Sequence, residues 1–186
     1  MRGDLQPGGE FPDFSLPDTE GKPLQLGRYM DGWPTVVTFN RGNYCPKDRR
    51  QLINYAVHLQ PELLVNYCKL LTVTVEARLE SIEMKTGVGA FWPFLSDHDR
   101  KLLRELDLAD ESDPRYSPVY IPHVFVLHGE RRIHKVYNGW WYVGRPTVDE
   151  LRFDLRAVMS QRPDWAYSKD WNDKRGQSVR PDPVRK

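Results

Sequence analysis

The sequence predicts an α/β fold, a three-layer α/β/α sandwich with a central mixed sheet and an N-terminal strand and turn extension. Two runs of β-branched and apolar residues, Thr35–Phe39 and Leu70–Val75, have the composition of strands buried on both faces. Between them, residues 46–66 carry apolar side chains at three- and four-residue spacings, which indicates an amphipathic helix. Strand, helix and strand form a βαβ unit, whose crossover is right-handed in nearly all proteins. We therefore expect two parallel strands with this helix on one face.

The flanking segments predict the cover and the outer layers of the sandwich. Residues 7–34 are rich in Pro, Gly and Asp with spaced Phe and Leu, a pattern typical of short strands and turns laid over a core. Pro61 predicts a break or kink in the first long helix. Residues 77–86 and 98–106 are expected to form two shorter helices, separated by the apolar strand or turn Phe91–Leu95.

The C-terminal part predicts an antiparallel end to the sheet and a final helix. Val124–Leu127 and Arg131–Tyr137 are joined by a short connection, which indicates a β-hairpin. Thr147–Glu150 has the pattern of a capping box and begins a helix. A length of 186 residues suits one hydrophobic core, so we assign residues 1–162 to a single domain. Residues 163–186 are interpreted as a charged, proline-containing C-terminal tail.

The composition argues against several classes of function. The 27 Lys and Arg side chains balance 26 Asp and Glu, so a net charge of +1 attracts neither nucleic acid nor an anionic membrane. The chain has no run of about eighteen apolar residues, which excludes a membrane-spanning helix. Residues 1–11 carry charges and lack the apolar centre of a secretory signal, so we expect a cytoplasmic protein. Two cysteines in a reducing compartment argue against a disulfide framework.

Cys45 is the candidate reactive residue because it lies where a buried strand runs into a long helix. Pro46 suits the first helical position, so Cys45 falls near the helix N-cap. Unpaired backbone amides and the positive end of the helix dipole favour a thiolate at this place. Arg41, Lys47 and Arg49 add positive charge, whereas Asp48 opposes the thiolate or caps the same amides. The site is therefore expected to be chemical rather than structural.

The remaining thiol and the histidines favour structural roles. Cys68 precedes the second strand and is interpreted as a buried core residue. Cys45 and Cys68 would fall at opposite ends of parallel strands, about one strand length or ~17 Å apart, which is too far for a disulfide. The histidines lack the spacing of metal ligands, so neither a metal nor another cofactor is expected. For His123, which follows Pro122, two orientations stay open: its side chain reaches the thiol, or strand alternation turns it away. An aromatic group has the composition of a contact surface, with packing as the alternative: Trp140, Trp141 and Tyr142 with nearby Arg145.

Four motifs occur in an order that one protein family shares: Phe11–Lys22, Arg41–Pro46, Pro93–Arg100 and Ile121–Leu127. Over roughly residues 8–160 the chain resembles the alkyl hydroperoxide reductase and thiol-specific antioxidant family, the peroxiredoxin-like proteins of the thioredoxin superfamily. The resemblance implies a thioredoxin-like fold with a nucleophilic thiol.

At the level of residues, the resemblance implies that Cys45 is the nucleophile and that Arg41 assists it. It assigns substrate binding to Gly42, Tyr44 and Pro122, with a cis bond before Pro122 as in thioredoxin-like members.

Three positions depart from the family pattern. Asp48 stands where many relatives have a second cysteine, so the redox pair is missing. Gly42 stands where typical peroxiredoxins have the Thr or Ser whose hydroxyl contacts the peroxide. Pro122 stands where they have the active-site arginine, which leaves Arg41 as the expected replacement.

The sequence thus predicts a peroxiredoxin-like thiol oxidoreductase, in which Cys45 attacks a peroxide oxygen or a disulfide sulfur. An external reductant, thioredoxin or a low-molecular-weight thiol, would regenerate the cysteine. Two alternatives stay open: a single-cysteine thiol-disulfide oxidoreductase, supported by Pro122, and a redox-inactive binding or scaffold module, supported by Asp48. We expect no nucleic acid or membrane partner, and a homodimer is the candidate assembly.

Overall fold

A computed structural model of the protein describes residues 1–140 and 144–162. The strands are β1 (Ser15–Pro17), β2 (Pro23–Gln25), β3 (Thr35–Phe39), β4 (Lys69–Thr74), β5 (Phe94–Ser96), β6 (Ala109–Asp110), β7 (Val119–Tyr120), β8 (His123–His128) and β9 (Arg132–Asn138). The helices are α1 (Leu26–Met30), α2 (Pro46–Asn54), α3 (Gln60–Val65), α4 (Arg78–Val88), α5 (Lys101–Glu105) and α6 (Val148–Met159). The tail expected at 163–186 and two members of the aromatic group, Trp141 and Tyr142, lie outside the described residues.

The central sheet is mixed, with five strands in the order β5-β4-β3-β8-β9. β3 pairs in parallel with β4, and Phe39 lies opposite Val73. β8 runs antiparallel to β3, so that its first residue, His123, also lies opposite Phe39. The predicted βαβ unit and the predicted β8–β9 hairpin are both confirmed. The ends of β3 and β4 and the beginning of β8 therefore meet at one edge of the sheet.

Strand alternation divides the core into two layers. Val37 and Phe39 point to the face that is covered by α1, α5 and the N-terminal extension. Val36 points to the opposite face, where residues of α2, α3, α4 and α6 bury their apolar sides. Because successive side chains of a strand face opposite ways, each fully buried strand needs a covering layer on both sides. This arrangement is the expected three-layer sandwich.

The helix that follows β3 is interrupted, as its proline predicted. α2 continues into a π-helical stretch, Tyr55–Leu59, and then into α3. Pro61 occupies the second position of α3, in the first turn, where an amide hydrogen has no partner in the helix. A π-helical turn inserts one residue into the ladder and rotates the faces on either side of it. Tyr55, at the start of this stretch, is buried in the core with an exposed fraction of only 1 %.

The helix α1 and the β6–β7 pair were not predicted, whereas the capping box that begins α6 was. The N-terminal cover contains the β1–β2 hairpin and also α1, and a two-residue pair, β6 and β7, precedes β8. The capping box of α6 is confirmed, since Thr147 accepts from the Glu150 amide and the Glu150 carboxylate accepts from the Thr147 amide. Among the described residues, none of the helices has the length and apolar character needed to cross a bilayer.

Candidate functional site

Cys45 is the N-cap residue of α2, directly after the edge where β3 ends. Its carbonyl accepts the first helical hydrogen bond, from the Arg49 amide at 3.1 Å, and its own amide donates to the Gly42 carbonyl at 3.1 Å. The thiol makes no capping hydrogen bond, and the residue is 5 % exposed. The sulfur therefore lies at the positive end of a nine-residue helix.

A buried ion pair lies one helical turn beyond the thiol. The Asp48 side chain is fully buried, and its carboxylate accepts from the Arg145 guanidinium and from the Arg41 amide, the latter at 2.7 Å. Asp48 therefore neither caps its helix nor stands as an uncompensated charge beside Cys45, the two roles expected from sequence. The Arg145 side chain is 18 % exposed and turned inward, as the packing alternative for this group predicts.

Arg145 and Pro122, which stands where the family pattern has its strand arginine, both border Gly139. A Cβ atom on Gly139 would lie 3.0 Å from Pro122 Cβ and 3.1 Å from Arg145 Cγ. The Gly139 amide donates to the Pro122 carbonyl at 2.7 Å, which holds this loop against β8. Arg145, which sequence reasoning did not place in the site, thus brings a guanidinium to it. Its position before a capping box was visible, but the contact with Asp48 was not.

The expected cis bond before Pro122 is wrong. Within the described ranges the cis peptide bond is Ser117–Pro118, and the Ile121–Pro122 bond is trans. The imidazole of His123 contacts Ile121 and Phe125. Its Nδ1 lies 2.8 Å from the Ile121 carbonyl oxygen, and its ring stacks against Phe125 with centroids 6.0 Å apart. Burial lowers the pKa of His123, so the imidazole is neutral at pH 7.

Arg41 and Tyr44, two of the expected site residues, both contact the segment around β6 and β7. The Arg41 guanidinium donates to the buried Asp110 carboxylate at 2.7 Å, and the Arg41 side chain is 30 % exposed. The Tyr44 ring stacks on Tyr116 with centroids 3.7 Å apart and planes 5° from parallel. Both side chains are therefore held beside the thiol by packing on a neighbouring loop.

Gly42 is required by Glu76, a residue that sequence reasoning missed. The backbone φ at Gly42 is +133°, and an added Cβ would lie 2.6 Å from Glu76 Oε1. That oxygen accepts from the Asn43 amide at 2.5 Å, whereas Oε2 has no partner among the described residues. Burial raises the pKa of the Glu76 carboxyl, against the opposing effect of the Asn43 amide. The space beside Gly42 is thus filled by a carboxyl group rather than by a hydroxyl.

Buried polar atoms without partners gather at this edge of the sheet. In the described part of the chain they include atoms of four neighbouring side chains: both amide atoms of Asn40, Arg41 Nε, Glu76 Oε2 and His123 Nε2. Asn40 and Arg41 follow β3, Glu76 follows β4 and His123 begins β8. Unsatisfied buried groups cost stability and concentrate where a site is prepared for a ligand or a reaction. The edge around Cys45 has this character.

Cys68 lies at the opposite edge of the sheet, just before β4. Both cysteines are free and buried. Burial raises the pKa of Cys68 to about 12. The residue borders a cavity of about 530 Å³ between α3 and α6. In the part of the chain that can be described, no cluster of three His, Cys, Asp or Glu side chains could hold a metal ion.

Known proteins share this fold. The model of the AhpC/TSA family matches residues 7–136. The fold is similar to that of the peroxidoxin BcpB from Mycobacterium tuberculosis, with a TM-score of 0.70 and 18 % identity over 84 % of this chain and 98 % of that one. It is also similar to a mutant of peroxiredoxin 6 from Arenicola marina, with a TM-score of 0.69 and 18 % identity over 86 % and 79 %. A yeast mitochondrial 1-Cys peroxiredoxin is similar as well, with a TM-score of 0.65 and 18 % identity over 97 % of this chain and 84 % of that one. No curated protein matches the chain.

Gly42→Ala is expected to destabilise the protein more than Gly89→Ala. Both glycines have positive φ, but an added Cβ at Gly89 meets nothing within 4 Å, whereas at Gly42 it meets Glu76. We expect a loss of about 1 kcal/mol at Gly89 and about 2–3 kcal/mol at Gly42, measured by denaturant unfolding. Equal losses would mean that the Glu76 side chain moves away freely.

Glu76→Gln is expected to change how stability depends on pH. Because the folded pKa of Glu76 is raised, the wild-type protein loses stability as pH rises from the unfolded pKa to the folded one. Glutamine keeps an acceptor for Asn43 and cannot ionise. The free energy of unfolding of the variant should therefore rise relative to that of the wild type as pH increases from 4 to 7, by on the order of 1 kcal/mol. Exposed Glu80→Gln is the control, and a parallel profile for both variants would contradict the interpretation.

Proposed function

The chain belongs to the AhpC/TSA family, and from this premise we propose that it is a thiol peroxidase in which Cys45 alone carries the redox chemistry. The observation that carries the proposal is the placement of this thiol at the N-terminus of α2, at the sheet edge where buried polar groups lack partners. A peroxiredoxin-like oxidoreductase needs a stabilised thiolate beside donors that can receive a peroxide. The helix N-terminus supports the first part of that requirement, and the buried polar atoms without described partners support the second.

The proposed reaction starts from the Cys45 thiolate and a hydroperoxide. The sulfur attacks the terminal peroxide oxygen, an S–O bond forms, the O–O bond breaks and the departing oxygen takes a proton to leave as water or an alcohol. The cysteine becomes a sulfenic acid. A first external thiol then forms a mixed disulfide and releases water, and a second thiol releases the cysteine and leaves as a disulfide. The sum is one hydroperoxide reduced and two thiols oxidised.

The electrons are proposed to come from outside the domain. Cys68 lies at the far edge of the sheet, and its pKa of about 12 keeps it protonated, so it is a poor resolving thiol for Cys45. Thioredoxin or a low-molecular-weight thiol is the proposed reductant. Two free cysteines suit a reducing compartment, which supports a cytoplasmic location. We retain a homodimer as the candidate assembly, to be tested by light scattering.

Arg145 is proposed to support the thiolate in place of the strand arginine. Its Nη1 atom donates both to Asp48 and, at 3.3 Å, to Gln51. The hydrogen bonds of its guanidinium to described residues run through this nitrogen, which leaves Nη2 and Nε as the donors for a peroxide or a leaving oxygen. The pairing also cancels the negative charge of Asp48 beside the sulfur. Arg41, the replacement expected from sequence, is instead directed at Asp110.

The two alternatives lose their main support. A thiol-disulfide oxidoreductase of thioredoxin type was supported by Pro122 and by the thioredoxin-like form of the Cys45 turn, and the bond before Pro122 is trans. The redox-inactive scaffold depended on Asp48 opposing a thiolate, and Arg145 neutralises that carboxylate. The peroxidase hypothesis requires neither a cis bond before Pro122 nor an unpaired charge on Asp48.

Cys45→Ser is expected to abolish peroxide consumption, whereas Cys68→Ser should retain it. In the wild-type protein, dilute hydrogen peroxide should give a sulfenic acid on Cys45, trapped with dimedone and located by mass spectrometry. Cys68 should stay unmodified in the native state because its buried thiol is protonated. Consumption of peroxide should require an added thiol in stoichiometric excess. Trapping on Cys68 alone, or no trapping in folded protein, would overturn the proposed function.

Arg145→Ala is expected to slow sulfenic acid formation about 10- to 100-fold, since it removes a donor and exposes the thiolate to the Asp48 charge. Breaking a buried pair also costs about 3–5 kcal/mol of stability, so folding must be checked by circular dichroism. Adding Asp48→Asn to Arg145→Ala should recover part of the rate, because the opposing charge is gone. Exposed Arg156→Ala is the control and should react as wild type does. A double variant as slow as Arg145→Ala would show that the arginine does not act through Asp48.

A further inference from the structure

The loop between β6 and β7, residues 111–118, is attached to the Cys45 turn at two points. At one end Asp110, the last residue of β6, binds the guanidinium of Arg41 at 2.7 Å. At the other, Tyr116 stacks on Tyr44 at 3.7 Å between centroids. Arg41 and Tyr44 both precede Cys45 on the same short turn. The loop therefore forms a strap fastened to both ends of the segment that leads into the thiol.

The strap has an internal structure that presents Tyr116 to its partner. The Asp113 carbonyl accepts from the amides of Tyr116 and Ser117 at 3.1 and 3.0 Å. The Asp113 carboxylate pairs with Arg115, whose guanidinium carbon lies 5.5 Å from the centre of the Tyr116 ring. The aromatic contact is thus prepared by the loop itself rather than by a chance collapse of two exposed rings.

The two attachments differ in their exposure. The Asp110 side chain is 4 % exposed, so its ion pair with Arg41 is a buried, fixed anchor. Tyr44 and Tyr116 are 38 % and 40 % exposed, which puts the stack at the solvent boundary. Cys45 itself is only 5 % exposed. Because Tyr44 immediately precedes Cys45, the stack lies at the solvent boundary of the turn that carries the buried sulfur.

We propose that Tyr116 is a specificity-determining residue, which with Tyr44 narrows the approach to Cys45 so that small hydroperoxides react faster than bulky organic ones. The inference rests on the proposed function, because it concerns the hydroperoxide that the Cys45 thiolate attacks. Hydrogen peroxide passes the stacked rings with little displacement. A tertiary hydroperoxide with an aryl group needs the rings to separate before its terminal oxygen comes into line with the sulfur.

The test compares hydrogen peroxide with cumene hydroperoxide in single turnovers of the reduced full-length protein. Sulfenic acid formation on Cys45 is followed by rapid quenching and mass spectrometry for wild type, Tyr116→Phe and Tyr116→Ala. Phe91→Ala, which removes an aromatic side chain 79 % exposed beside Cys68, is the matched control. Tyr116→Ala should raise the rate ratio of cumene hydroperoxide to hydrogen peroxide about tenfold. Tyr116→Phe preserves the stack and should keep the wild-type ratio, as should Phe91→Ala.

A ratio for Tyr116→Ala equal to that of wild type would overturn the proposal. A wild-type protein inert to both oxidants would instead remove the proposed function. In that event, labelling of Cys45 by a small methanethiosulfonate and by a bulky fluorescein maleimide still decides the role of the strap. Tyr116→Ala should accelerate the bulky reagent selectively, and equal acceleration of both reagents, or of neither, would contradict it. Circular dichroism confirms that the variants compared are folded.

Discussion

The ion pair between Asp48 and Arg145 joins three parts of the chain that are distant in sequence. Asp48 belongs to the first turn of α2, Arg145 to the loop before α6, and the amide that also donates to Asp48 belongs to Arg41 at the end of β3. A charge with no solvent exposure is tolerated only when it is paired and hydrogen-bonded. The contact therefore requires the turn, the helix and the loop to adopt their relative positions together. Below it, Gln51 donates to the Tyr55 hydroxyl, which donates to the Pro146 carbonyl, so the same loop is held at a second level.

The difference between the two thiols follows from the direction of the strands. β3 and β4 are parallel, so the residue after one strand and the residue before the next stand at opposite edges of the sheet. The edge at Cys45 receives a helix N-terminus, an arginine and several polar groups without partners. The edge at Cys68 receives apolar side chains that remove its thiol from water. Two identical functional groups therefore stand in different surroundings, since a helix N-terminus lies at only one of them.

Sequence periodicity was sufficient for the main elements, because their apolar patterns are local. The βαβ unit, the β8–β9 hairpin and the capping box of α6 all depend on residues a few positions apart, and all are confirmed. The site was less accessible. The Arg145–Asp48 contact spans 97 positions, and the contact of Gly42 with Glu76 depends on where two strand ends meet. A proline next to an apolar strand does not reveal its isomer, and the cis bond fell at Pro118 rather than at Pro122.

The contact between Gly42 and Glu76 also constrains how such a site can change over evolutionary time. A side chain at position 42 would meet a carboxyl oxygen at 2.6 Å, while the same carboxyl holds the Asn43 amide. The two positions are therefore epistatic. With glutamate at position 76, a larger residue at position 42 meets both the carboxyl group and an unfavourable backbone, since φ there is +133°. A hydroxyl-bearing residue at position 42 would therefore need a shorter side chain at position 76 and a different backbone conformation in the turn.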